Sequence, residues 1–269
     1  MSWSSATASA ERRPLEVAAN ERLGAYRLLR VLDPGGEYAP GQFAMLAAER
    51  RWGGGQDERP FLPRALSVAR HTGAEAHFLL EDVGPGTRRL CELRPGERVL
   101  ALGPLGRGFR EPQTGRRPLL VGGGVGVAPL VILQDRLGTP ARALLGFRDG
   151  ERARAAELML DVRLATDDGS AGHRGTVTEL LERELDEDSA AEVYACGPGP
   201  MLEGVRALCA RRQVPAQLAL EAPMACGFGA CFGCVVPARD GRYLRVCVDG
   251  PVIAAGELGH VGDYAGAPA

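Results

Sequence analysis

The chain has 269 residues, a length that on average divides into about two domains. Apolar residues make up 45% and charged residues 25%, the balance of a globular chain with a sizeable core and not of a disordered one. A net charge of −2, with no Lys/Arg block interleaved with aromatics, argues against a nucleic-acid binder. Residues 1–13 are polar, lack the apolar stretch of a secretory leader and are expected to form a flexible tail. The longest apolar run, Leu119 to Leu133, is too short and too glycine-broken to span a bilayer. A cytoplasmic location is therefore expected, where thiols stay reduced.

Residues 14–113 read as short β-rich segments between turn signals. Leu28 to Leu32 closes on Asp33-Pro34-Gly35-Gly36; Gln42 to Ala48, Ala65 to Ala69, Ala76 to Val83 and Arg98 to Leu102 follow. Many short strands at this spacing predict an antiparallel barrel or sandwich. The polar, glycine-rich Arg50 to Arg59 predicts a surface loop, and Thr87 to Leu93 a short helix.

From Arg117 the rhythm changes. Strand patterns at Leu119–Val121, Arg142–Phe147, Asp161–Ala165, Glu192–Ala195 and Gln217–Leu220 alternate with helix patterns. The helices are expected at Val127–Leu137, Glu151–Leu158, Thr176–Glu184 and Met201–Arg212. Such alternation over residues 114–220 predicts a doubly wound parallel sheet that binds ligand at the carboxyl ends of its strands. The first strand runs into Gly122-Gly123-Gly124-Val125-Gly126, where backbone N–H groups can close on a pyrophosphate at a helix N-terminus. The register is not G-x-G-x-x-G, because Val127 stands where the last glycine would be, and a tight turn without ligand gives the same pattern.

The last segment, residues 221–269, carries four of the seven cysteines in the order Cys226-x4-Cys231-x2-Cys234-x12-Cys247. This is the C-x4-C-x2-C…C form of plant-type [2Fe–2S] ligation, in which each iron takes two thiolates. Gly227, Gly229, Ala230 and Gly233 suit a backbone that must wrap closely around inorganic sulfides. Structural zinc is the alternative, but it usually takes two short Cys knuckles well apart. The odd cysteine total argues against a disulfide framework. Cys91 and Cys209 have no such context and are expected to be inert, and His71, His77, His173 and His260 sit in no ligand or base spacing.

Taken in order, these motifs resemble a family. G-G-G-V-G-V-A-P-L (Gly122 to Leu130) and Y-A-C-G-P-G-P-M-L (Tyr194 to Leu202) are similar to the nicotinamide half of the ferredoxin–NADP reductase superfamily. Arg64-Ala65-Leu66-Ser67 matches its R-x-x-S flavin motif, and Gly84-Pro85-Gly86-Thr87 looks like its G-x-G-T phosphate turn. With the C-terminal cysteines and V-C-V-D-G-P-V, residues 15 to 252 resemble the electron-transfer subunits of NAD-dependent, class 1B dihydroorotate dehydrogenases. The architecture implied is a flavin-binding antiparallel β-barrel (14–113), an NAD-binding α/β domain (114–220) and a small [2Fe–2S] lobe (221–269).

The resemblance also implies roles. Arg64, Gly84, Gly86 and Thr87 would hold the phosphates of FAD. Ala65 and Leu66 would line the ring, and Ser67 would hydrogen-bond its edge. Many relatives have proline in place of Ala65 and an aromatic in place of Leu66. Gly122, Gly123, Gly124, Gly126, Gly197 and Pro198 would hold NAD, with Cys196 beside the nicotinamide. Asp149, 23 residues beyond Gly126, stands where an acidic group can accept from ribose hydroxyls and disfavour a 2′-phosphate. Asp167-Asp168-Gly169 either lines the same cleft or is a solvated turn. No organic-substrate site is evident, so the partner implied is a separate FMN-containing catalytic subunit in a hetero-oligomer, a heterotetramer by resemblance. That subunit oxidises dihydroorotate in pyrimidine biosynthesis. A reductase subunit serving a hydrogenase, ferredoxin or oxygenase would share every motif, and a non-enzymatic iron–sulfur redox sensor is a third reading.

Overall fold

The computed structural model describes residues 10–53, 60–138 and 141–261. The expected tail at 1–9, the expected surface loop at 54–59 and the chain end at 262–269 lie outside these.

Alternation of side chains builds the first module. Leu29 and Val31, Ala44, Leu46 and Ala48, Ala76, Phe78 and Leu80, and Val99 and Ala101 each occupy every second position, and all are buried in one cluster. Their strands are β1 (Glu11–Leu23), β2 (Tyr26–Leu32), β3 (Phe43–Ala48), β4 (Arg64–Thr72), β5 (Glu75–Glu81) and β6 (Arg98–Leu105). They close as an antiparallel barrel in the order β1-β2-β5-β4-β3-β6. Helix α1 (Pro85–Cys91) lies between β5 and β6. Strand β1 begins inside the segment expected to be tail. Glu11 to Arg13 pair with Gly103 to Ala101 of β6, and Arg13 binds Asp33 at 2.8 Å, which holds these residues in the barrel.

The second module comprises β7 (Arg117–Gly123), α2 (Ala128–Leu137), β8 (Arg142–Phe147), α3 (Gly150–Ala153), β9 (Val162–Thr166), β10 (His173–Arg174), α4 (Val177–Glu187), β11 (Ala191–Cys196), α5 (Gly199–Arg212) and β12 (Ala216–Ala219). The third holds the pair β13 (Val235–Pro237) and β14 (Tyr243–Arg245), followed by β15 (Val252–Ala254). The large sheet runs β10-β9-β8-β7-β11-β12-β15. Its first six strands are parallel, while β15 adds antiparallel to β12. The strands within residues 114–220 are parallel, as expected, and the C-terminal lobe adds a seventh, antiparallel strand to their sheet. The expected helix at Glu151–Leu158 splits, into α3 and a 3-10 turn at Arg154–Leu158. Ala25 of the β1–β2 hairpin donates to the Glu151 carbonyl at 3.2 Å, so that carbonyl faces the barrel instead of continuing an α-helix.

The modules share cores. Tyr26, Ala69 and Leu79 of the barrel pack with α2 and one face of the sheet, and Arg70 on β4 pairs with Asp135 on α2 at 2.6 Å. Phe43, Met45 and Leu105 of the barrel pack in a second cluster with the other sheet face, Cys234, Val236, Val246 and Cys247. No described helix is long and apolar enough to cross a membrane.

Candidate functional site

Arg64 opens β4, and its half-buried guanidinium donates to the Leu62 carbonyl at 2.6 Å. Among the described residues no carboxylate pairs with it, and burial lowers its pKa below the usual arginine value. Gly86 presses on it, since a Cβ there would come within 2.5 Å of Arg64 Cζ. The R-x-x-S strand and the G-x-G-T turn are thus in contact, and they hold a planar cation, without a carboxylate partner among the described residues, in a cradle that any side chain at Gly86 would fill. That arrangement fits a phosphate. The Thr87 hydroxyl is engaged inside the turn: Oγ1 accepts from Val83 N at 3.0 Å and Gly84 N at 3.2 Å. It shapes the cradle from within. Ala65 is exposed, Ser67 is half-buried, and half-buried Leu66 packs against the barrel interior.

The second candidate site is the point where the sheet reverses direction of winding, between β7 and β11. Gly126 lies against the next strand's turn, so that a Cβ would stand 2.5 Å from the Cys196 carbonyl oxygen. A Cβ at Gly197 would stand 3.0 Å from Gly123 N, and one at Gly123 would stand 3.0 Å from Pro198 Cδ and 2.5 Å from Met201 Sδ. A Cβ at Gly122 would meet Leu145, and Gly124 adopts φ +55°. Only glycines allow the two turns to nest this closely.

Cys196 closes β11 and is 3% exposed. Burial, and secondarily the Glu221 carboxylate, push its thiol well above the ordinary range, so it stays protonated. Glu221 itself was missed in the sequence. Water reaches it, yet surrounding protein crowds it enough to raise its pKa. Its only linear signal is its place just after a strand's carboxyl end.

Asp149 lies just past β8, where Oδ1 accepts from Arg152 N at 2.9 Å as the cap of α3 and Oδ2 pairs with Arg152 Nη1 at 2.6 Å. The amide bond outweighs burial and depresses its pKa, so Asp149 is ionised. Arg152 also binds Glu81 of the barrel at 3.0 Å. Asp168 is exposed and accepts from Ser170 N at 2.9 Å, a solvated turn.

The four cysteines of the third module fall into two pairs. Cys234 and Cys247 have their sulfurs 3.2 Å apart, and Cys231 is the neighbour whose amide and thiol act on Cys226. Burial raises the Cys226 pKa, but the amides of Cys231, Phe228 and Ala230 and the Cys231 thiol outweigh it and bring the thiol down to about 6. Burial, then Cys234, push Cys247 up to about 12. Among the described residues no three His, Cys, Asp or Glu side chains converge to hold one ion. Two thiol pairs suit two irons, whereas a tetrahedral zinc site draws all four to one point. Gly227 and Gly229 take φ +81° and +87°, conformations that favour glycine. Cys91 and Cys209 stand apart, and burial pushes their thiols up to about 11 and about 12.

One contact joins the flavin motif to the cysteine loop. Met45 of β3 is paired in the ladder with Ala65 of β4, and a Cβ on Gly227 would lie 2.8 Å from Met45 Sδ.

Residues 221–259 match the model of the iron–sulfur cluster binding domain of dihydroorotate dehydrogenase B. The chain is 37% identical over 232 residues to the "Dihydroorotate dehydrogenase B (NAD(+)), electron transfer subunit" of Desulforamulus reducens, covering 81% of this chain and 86% of the relative. A Geobacillus protein of the same name is 41% identical over 233 residues, covering 82% and 86%. The chain belongs to the family of dihydroorotate dehydrogenase B electron transfer subunits. In shape it is similar to an NADH-dependent reduced ferredoxin–NADP oxidoreductase solved in a study of flavin-based electron bifurcation. That match has a TM-score of 0.74 and 24% identity, over 91% of this chain and 90% of the other. It is also similar to the ferredoxin reductase of carbazole 1,9a-dioxygenase, with a TM-score of 0.64 and 25% identity over 76% and 67%. As a family member the chain is an oxidoreductase subunit that uses FAD, a [2Fe–2S] cluster and NAD.

Proposed function

We propose that this chain carries electrons between NAD and an FMN-bearing catalytic subunit that oxidises dihydroorotate, within a cytoplasmic hetero-oligomer, a heterotetramer. The observation that carries the reading is Met45, one strand from the flavin motif and in contact with the cysteine loop. When bound, FAD exchanges hydride with the nicotinamide and single electrons with the cluster.

The residues of the chain bind and orient. Arg64 and Gly86 hold the flavin phosphates, and Thr87 keeps their turn in shape. Ser67 donates to the edge of the isoalloxazine that Ala65 and Leu66 flank. Gly122 to Gly126, with Gly197 and Pro198, hold the dinucleotide at the strand ends. Asp149, fixed and ionised by the α3 amide and Arg152, accepts from the ribose hydroxyls. Cys196 offers, next to the nicotinamide, a thiol that burial and then Glu221 keep uncharged. Cys226 with Cys231, and Cys234 with Cys247, supply two thiolates to each iron. Phe228 and Phe232, 58% and 60% exposed, face outward beside the cluster and form the apolar surface that meets the partner.

The test is reconstitution. Alone, the chain is expected to reduce dyes with NADH and to leave dihydroorotate untouched. Mixed with a family FMN subunit, it is expected to form a stable complex and couple dihydroorotate oxidation to NAD reduction. Failure to bind that subunit, or coupling that survives loss of the cluster, overturns the reading.

A further inference from the structure

Trp52 has no role in any of these motifs, yet it touches the residue on which flavin binding turns. The Arg64 guanidinium lies over its indole ring, with Cζ 5.8 Å from the centroid. Trp52 packs partly against the barrel interior. Its Nε1–H is buried and has no hydrogen-bond partner among the described residues. A phosphate-binding arginine faces conflicting demands. It must be fixed in orientation, but a carboxylate that fixed it would also neutralise it and compete with the phosphate. An aromatic face fixes a guanidinium through its quadrupole and leaves the planar N–H fork free. Among the described residues Arg64 has only the Leu62 carbonyl and this indole to orient it, with Gly86 packed against its guanidinium.

We propose that Trp52 is the positioning residue of the flavin phosphate site, holding Arg64 in its phosphate-binding orientation without cancelling its charge. The inference rests on the assignment of Arg64 to a flavin phosphate. Neither a Leu nor an Ala at position 52 would supply a π face, whereas a Phe would keep the face and lose the N–H.

The experiment follows FAD release from the holoprotein on serial dilution, read as the recovery of free-flavin fluorescence. Trp52→Leu is expected to weaken FAD binding about tenfold, or ~1.4 kcal/mol. Trp52→Phe is expected to stay within about threefold of wild type, the smaller π face being a weaker cation platform. The double variant Trp52→Leu/Arg64→Gln is expected to bind FAD no more weakly than Arg64→Gln alone, because Trp52 acts only through Arg64. In parallel, excitation at the indole band reads energy transfer to the flavin. The chain has two tryptophans, Trp3 and Trp52, so loss of the quenched component in Trp52→Phe assigns that component to Trp52. Additive losses in the double variant, unchanged affinity in Trp52→Leu, or a Trp52 emission indifferent to flavin each overturn the proposal. Unchanged FAD affinity in Arg64→Gln instead overturns the Arg64 assignment beneath it. If Trp52→Leu loses its thermal transition, the Phe variant and the emission measurement still decide.

Discussion

At Gly123 and Gly126 the chain is glycine because protein presses on it from outside: Met201 and Pro198 on one, the Cys196 carbonyl on the other. At Gly227 and Gly229 Met45 and Val248 press as well, but the backbone adds a demand of its own, φ +81° and +87°. The nucleotide turn hangs from the ends of a seven-stranded sheet and is packed by its neighbours without any ligand. The cysteine loop leans on one two-stranded ladder and on Met45 of the barrel, and two of its thiols, Cys226 and Cys247, are shifted in opposite directions. One loop is preorganised by fold. The other places its four thiols on a loop with less regular structure beneath it.

That contrast breaks most visibly at the cysteines. Serine at Cys226, Cys231, Cys234 or Cys247 is expected to abolish the cluster, read as loss of iron, sulfide and the broad visible absorption, from about two irons per flavin in the wild type. Serine at Cys91 or Cys209 is expected to leave all three intact. A zinc-loaded, iron-free wild type purified without oxygen would contradict the pairing of thiols by iron.

Next comes Gly126→Ala. Its Cβ meets backbone, which cannot swing aside as a flexible side chain can, so overpacking of about 1–3 kcal/mol falls on the nested turns. The KM for NADH is expected to rise about tenfold or more, while bound flavin and iron stay at wild-type levels. Parallel loss of iron would mean that the two loops are not independent after all.

Asp149→Asn sharpens the comparison within the nucleotide site. The neutral amide still caps α3 but no longer repels a 2′-phosphate, and Arg148, exposed beside it, gains influence. The ratio of kcat/KM for NADH over NADPH is expected to fall about tenfold. No change in that ratio would return Asp149 to a purely capping role.

The smallest effect links the two regions. Glu203 on α5 accepts from Val261 N at 2.9 Å and so ties the lobe to the helix that covers the sheet. Its bond with Arg206 outweighs burial and holds its pKa at about 2. A depressed carboxylate contributes stability above its unfolded value of about 4.3, and that contribution fades as pH falls toward about 2. Melting temperature between pH 5 and pH 2.5 is expected to fall less steeply in Glu203→Gln than in wild type. Equal slopes would show that this tie contributes nothing.

Legibility followed the same divide. The cysteine spacing could be read directly, because ligation of two irons constrains residues near one another in the chain. The Gly122–Gly126 turn was ambiguous until read with Cys196, since the atoms that demand its glycines lie on another strand. Five of the six barrel strands were readable from alternation and turn residues. The start of β1 was not, because Arg13 is held by Asp33 across a hairpin. The roles of Glu221, Met45 and Trp52 were not legible in the linear pattern, for each matters through a neighbour distant in sequence. The break after α3 was likewise set from outside, by Ala25 at the Glu151 carbonyl.

The seventh strand bears on how the protein is made. All four residues of β12 are buried, and β15, 36 residues later counting from Ala216 to Val252, covers its outer edge. While the ribosome is still translating the cysteine loop, the nucleotide sheet therefore presents a strand edge with a bare row of N–H and C=O groups, the kind of edge on which chains pair with one another. A nascent chain released before Ala254 would keep that edge permanently and be prone to aggregate. Completion of the lobe is thus a quality checkpoint for the NAD module as well as for the metal centre.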